Sequence, residues 1–185
     1  LVHKNPINFL ENVIKLSNEP IISHKIFAEH LDFNYLDLII NKSKFLILLK
    51  RKFIDIYISK KRAIEMQKIH DNPWINIDTT DYKIDFNKNE YENQLNNYND
   101  WFIKVNETIN LHNKNYVIID YDNFFNLNID DQINLIKKEL SKSIPKQFLN
   151  NIDIDKNNLL QKQDKSSDYK TKINNYKDFF NYFKP

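Results

Sequence analysis

The chain has 185 residues with 27 Lys+Arg against 25 Asp+Glu, a formal net charge of +2, and neither Cys nor Gly. That is one domain's worth of chain, and 41% hydrophobic residues suffice for a core. The near-neutral balance gives no field for gripping nucleic acid, absent cysteines exclude a disulfide scaffold, a thiol nucleophile and a Cys-ligated zinc, and no apolar run nears the roughly 20 residues of a membrane span.

In chain order, Asn5 and Pro6 read as an N-cap and first helical position. The apolar stripe Ile7, Leu10, Val13, Ile14 then predicts a helix ending near Ser17. Residues 21–27 alternate with the period of a strand, and residues 34–40 predict a second helix. Residues 44–49 are apolar between charged ends, the pattern of a strand buried on both faces of a parallel sheet. Arg51 stands just past it, and residues 53–69 follow with helical spacing, completing a strand, turn and helix.

Residues 74–86 read as an excursion of short strands or loops. Asn87 with Glu90 forms a capping box for a long amphipathic helix through Ile109. Residues 116–119 are a second buried-strand candidate, and Asn128 with Asp130 and Asp131 opens a helix that Pro145 stops. Residues 150–172 lack pattern and read as a loop, and residues 175–183 close the chain as an aromatic helix. The expected fold is α/β with a central parallel sheet and helices on both faces, where ligands bind beyond the strand C-termini.

Average Gly usage of about 7% would put roughly a dozen in such a chain. Their absence excludes a Walker A loop or a dinucleotide fingerprint within these residues. Only Arg51 and Arg62 break an otherwise all-lysine basic set, and both lie in one strand, turn and helix. Arg clamps phosphate through a planar fork that Lys lacks. Asp55, Ser59 and Arg62 follow at spacings of four and three, on one helix face.

The segment FLILLKRKFIDIYISKKRA, residues 45–63, resembles the 3'-phosphate-binding segment of sulfotransferases: a buried strand ending in Arg, then a helix with Asp four and Ser eight residues on. The resemblance implies that Arg51 and Ser59 bind the 3'-phosphate of 3'-phosphoadenosine 5'-phosphosulfate (PAPS). Lys61, Arg62, Ala63 and Trp74 look like the bacterial carbohydrate-modifying branch. YVIIDYDNF, residues 116–124, is similar to a later family strand. There Tyr121 would sit beside the nucleotide and Asp122 would hold the following turn, with Asn123 departing from the usual second acid.

Residues 160–183, with Lys162 and Gln163, resemble the C-terminal loop that covers the nucleotide and the helix that closes the chain. SHKIFAEHL, residues 23–31, resembles a strand carrying a Lys near the reacting centre. The family's Gly-containing 5'-phosphosulfate loop has no counterpart in residues 1–185. The chain starts at Leu1, so the expectation is a single P-loop-NTPase-like, three-layer domain lacking its first strand and that loop.

The implied reaction is metal-free, in-line sulfuryl transfer from PAPS to an acceptor hydroxyl, with a carbohydrate as the acceptor class. Catalysis then requires positioning, charge neutralisation and a base. Lys25 is the candidate at the bridging oxygen, and His30 or His24 the candidate base. A cytoplasmic protein without nucleic-acid partners is expected. Two other readings stand beside it: a P-loop-type small-molecule kinase relative, which would need Mg-ATP, and a non-catalytic fragment or interaction module.

Overall fold

The computed structural model describes residues 6–17, 25–26, 32–67, 82–145, 147, 149 and 168–184. In chain order it contains α1 (Pro6–Leu16), α2 (Phe33–Lys42), β1 (Phe45–Lys50), α3 (Phe53–Gln67), α4 (Lys88–Leu111), β2 (Asn115–Asp120), α5 (Tyr121–Asn126) and α6 (Ile129–Leu140). A 3-10 turn (Tyr169–Thr171) and α7 (Tyr176–Phe183) follow. Among the described residues this is a mixed α/β chain with seven helices and a two-stranded parallel sheet. Its contacts divide into two compact units: residues 1–50 with 98–157, and residues 51–97 with 158–185.

The helix starts follow the local chemistry. Asp32 caps α2 through Asn34 N–H at 2.8 Å, Asn87 caps α4 through Glu90 N–H at 3.0 Å, and Asn128 caps α6 through Asp131 N–H at 2.9 Å. The end of α4 shows how a chain without glycine turns. Asn113 takes a φ of 48°, the left-handed position usually given to Gly, while Lys114 N–H reaches back to Ile109 O at 3.0 Å and Asn113 N–H to Asn110 O at 3.1 Å. Asn is the side chain that tolerates this geometry best after Gly.

In the first unit, β1 and β2 pair in parallel with Leu46 opposite Tyr116, Leu48 opposite Ile118 and Leu49 opposite Ile119. Leu46 and Leu48 pack on an aliphatic cluster of Leu36 and Ile40 from α2 with Val105 and Ile109 from α4. Asp37 of α2 and His112, just past the end of α4, pair at 3.0 Å. The expectation of strands buried on both faces does not hold. Leu49 is 42% exposed and Ile118 47% exposed, whereas Ile119 is buried. A continuous apolar run marks a strand but does not say how much of each face its neighbours cover.

In the second unit the core is aromatic. Tyr57 and Ile58 of α3, Ile84, Phe86, Tyr91 of α4, Ile173 and Phe179 of α7 form one buried cluster. Tyr57 and Tyr91 meet edge to face at 5.4 Å and 87°, and Phe86 and Phe179 at 5.4 Å and 85°, the geometry favoured by ring quadrupoles. The C-terminal segment belongs to this core. Ile84 and Ile173 form a parallel bridge, Ile84 N–H donating to Lys172 O and Asn174 N–H to Ile84 O, both at 2.9 Å. The Asn175 amide grips the Phe86 backbone twice, accepting from its N–H at 2.7 Å and donating to its carbonyl at 2.9 Å.

Two segments differ from expectation. Residues 121–126 form the short helix α5, which no periodic apolar pattern announces. The strand expected over residues 21–27 lies largely outside the described residues; Lys25 and Ile26, which are described, have no regular structure.

Candidate functional site

Helix α3 begins immediately after Arg51. Lys52 O accepts the N–H groups of Asp55 at 3.1 Å and Ile56 at 3.3 Å, so Arg51 is the residue just outside the first turn. Arg51 is half-buried and Ser59 is exposed on α3. Asp55, between them, is half-buried, and its Oδ1 accepts the Tyr169 hydroxyl proton at 3.1 Å. That bond spans 114 positions and draws the 3-10 turn before α7 onto the start of α3. Tyr169 is held in turn by Phe179, ring centres 5.3 Å apart, and by Lys172 Nζ, 5.7 Å from its ring centre.

The second arginine does structural work. Arg62 is 6% exposed and its Nε donates to Tyr82 O at 2.6 Å, fastening the chain that enters Ile84 to the middle of α3. The two arginines therefore differ: Arg62 is buried on the Tyr82 carbonyl, while Arg51 is half-buried with its Nε shielded from solvent. Lys61 pairs with Glu90 at 2.8 Å, and that hydrogen bond holds its ammonium above the usual lysine range against a smaller opposing effect of burial. Tyr57, below this pair, has its phenol pushed up mainly by burial.

Tyr121 opens α5 in the other unit, half-buried, with its ring 4.4 Å from Phe125. The cap of that turn is Asp120, whose Oδ1 accepts from Asn123 N–H at 2.9 Å; the resemblance had assigned the turn to Asp122. Beside it, at the C-terminal end of β2, a hollow of about 270 Å³ is lined mainly by Val117, Ile119, Phe124, Leu127 and Leu135, with Asp120 and Glu139 at its polar edge. Lys25 is exposed. His24, His30, Lys162 and Gln163 lie outside the described residues.

Arg51 and Ser59 thus belong to the second unit, Lys25 and Tyr121 to the first. The residue that sequence reasoning missed is Tyr169. It sits in a stretch read as a patternless loop, and the one signal available was an aromatic residue among polar neighbours. Among the described residues no group of three or more His, Asp or Glu side chains converges as a metal site, and no helix is long and apolar enough to cross a membrane. No family model, curated protein or solved structure matches the chain.

Proposed function

We propose that this chain forms part of a P-loop-like, three-layer sulfotransferase that moves a sulfuryl group from PAPS to an acceptor hydroxyl, with a carbohydrate as the acceptor class. The observation that carries the reading is the turn at the start of α3. A half-buried arginine directly follows a parallel strand, a serine lies exposed further along the helix, and the C-terminal segment returns to the turn between them through Tyr169 and Asp55. A 3'-phosphate needs a forked cation and a hydroxyl, and the family resemblance of residues 45–63 supplies the same pair at the same spacing. On an ideal helix Ser59 lies about 9 Å along the axis from Phe53, so Arg51 must extend over the first turns to share one phosphate with it.

In this reading Arg51 and Ser59 grip the donor and do no chemistry. The acceptor oxygen attacks sulfur as the bond from sulfur to the bridging phosphate oxygen breaks, and a base takes the acceptor proton. Lys25 would neutralise the charge gathering on the bridging oxygen, with His24 or His30 as the base. In this reading, as the resemblance implies, the transfer uses no metal.

Calorimetric titration tests the assignment. The chain should bind 3'-phosphoadenosine 5'-phosphate more tightly than adenosine 5'-monophosphate. Arg51→Ala should weaken the first at least about tenfold, the equivalent of about 1.4 kcal/mol, and leave the second nearly unchanged. Equal losses for both ligands, or a preference for Mg-ATP, would overturn the reading.

A further inference from the structure

The second unit carries a hollow that the donor site does not use. It has a volume of about 390 Å³ and is lined by Phe86, Lys88, Asn175, Asp178, Asn181 and Tyr182. It is an open depression rather than an enclosed cavity. Asp178, Asn181 and Tyr182 stand at spacings of three and four on α7, so one helix face presents a carboxylate, a carboxamide and an aromatic ring together.

The polar groups of this face are unspent. Among the described residues, Asp178 and Asn181 are exposed, and neither side chain makes a hydrogen bond or an ion pair. Asn175 is held rigidly by its two bonds to the Phe86 backbone, which use one of its two amide protons and leave the other available. The rings are fixed as well. Phe86 is 6% exposed and lies 5.5 Å from Tyr182, whose hydroxyl donates to Glu92 at 3.1 Å.

The local charge is slightly negative. Lys88 Nζ sits 5.5 Å from the centre of the Tyr182 ring and 3.9 Å from Glu92, and Asp178 adds a further negative group. Such a hollow has no net positive field to select a phosphate or a nucleotide. It offers an apolar wall beside closely spaced donors and acceptors, which complements a ligand with one face of C–H groups and a rim of hydroxyls.

We infer that the hollow between α7 and the start of α4 is a binding site for a neutral saccharide ring. One face of the sugar packs on the Tyr182 ring, which Phe86 backs from the core, and Asp178, Asn181 and the second Asn175 amide proton bind its hydroxyls. The site is independent of the donor nucleotide: it shares no residue with Arg51 and Ser59 and stands or falls separately.

The test is a two-dimensional amide NMR titration of the 185-residue chain with maltose, cellobiose and N-acetylglucosamine, each to about 50 mM, the weak range expected of an open site. At least one sugar should shift the side-chain amides of Asn175 and Asn181 and the backbone of residues 178–182. Asn181→Ala and Asp178→Ala, both at exposed positions, should weaken that binding about tenfold. Tyr182→Phe, which keeps the ring, should retain it. Arg51→Ala should leave it unchanged, which separates this site from the nucleotide reading. The inference fails if none of the three sugars shifts these signals. It fails equally if glycerol shifts them as strongly, or if both alanine variants bind like the parent.

Discussion

The two units solve the problem of a core in different ways. The first packs branched aliphatic side chains, Leu36, Ile40, Val105 and Ile109, against Leu46 and Leu48 of β1, and leaves Ile47, Leu49, Tyr116 and Ile118 partly in water. The second interlocks rings from segments far apart in the chain and ties them with polar handles: Tyr57 hydroxyl to Asn87 N–H at 3.3 Å, Asn175 to Phe86, Tyr169 to Asp55 and Tyr182 to Glu92. Aliphatic packing is stabilised by area and is indifferent to direction. An aromatic core with hydroxyl and amide partners adds orientation, and orientation is what a binding surface requires.

The sharpest way to break the comparison is Tyr57→Ala, which empties the centre of the ring cluster. It should cost about 3–5 kcal/mol in urea unfolding, against about 1 kcal/mol for Ile109→Val in the aliphatic cluster. Comparable losses at the two sites would mean that the ring cluster has no special weight. Next comes Asn175→Ala. Removing both bonds to the Phe86 backbone at a part-buried position should cost about 2 kcal/mol and speed amide exchange across Ile84 and Phe86. Unchanged exchange there would leave the clamp without energetic meaning.

Alkaline pH sharpens the contrast further. Burial pushes the phenols of Tyr57, Tyr91 and Tyr182 above the usual value of 10.0, with Glu92 adding to the shift at Tyr182; in the first unit Tyr98 is raised by burial alone. A folded phenol that holds its proton more tightly than the unfolded one contributes stability that is complete below about pH 10. That stability is lost as pH rises through the raised folded values. Urea midpoints should therefore fall steeply above pH 10, and Tyr57→Phe combined with Tyr182→Phe should flatten that fall. A limb just as steep in the double variant would remove the second unit as its source.

The smallest effect is a gain. Asn113 holds a left-handed φ of 48°. Asn113→Gly should raise stability by about 0.5–1 kcal/mol and Asn113→Ala should lower it, read as opposite shifts of the thermal midpoint.

Much of the local structure was legible in advance. Pro6 opens α1, Asn87 and Asn128 cap α4 and α6, and the apolar runs at residues 44–49 and 116–119 are β1 and β2. Helix α5 was not legible, because residues 121–126 span less than two turns and show no period. Spacing alone puts Asp55, Ser59 and Arg62 within one helix face but does not fix their surroundings: Ser59 is exposed and Arg62 buried. The different fates of the two arginines could not be read from it either. Nothing local distinguishes Arg62, buried against Tyr82 O, from the half-buried Arg51.

By itself, then, the sequence determined everything that turns on neighbours within about one helical turn: caps, periods, the turn after β1 and the exclusion of glycine-built phosphate loops. Only the tertiary structure decided the parallel register of β1 and β2, the half-covered sheet faces and the return of Tyr169 to Asp55. It also decided the closure of α7 over Phe86. These pair residues dozens to more than a hundred positions apart. Such pairs form because burying the rings and satisfying the backbone groups they shield outweighs the entropy of closing the chain between them, a balance no local pattern records.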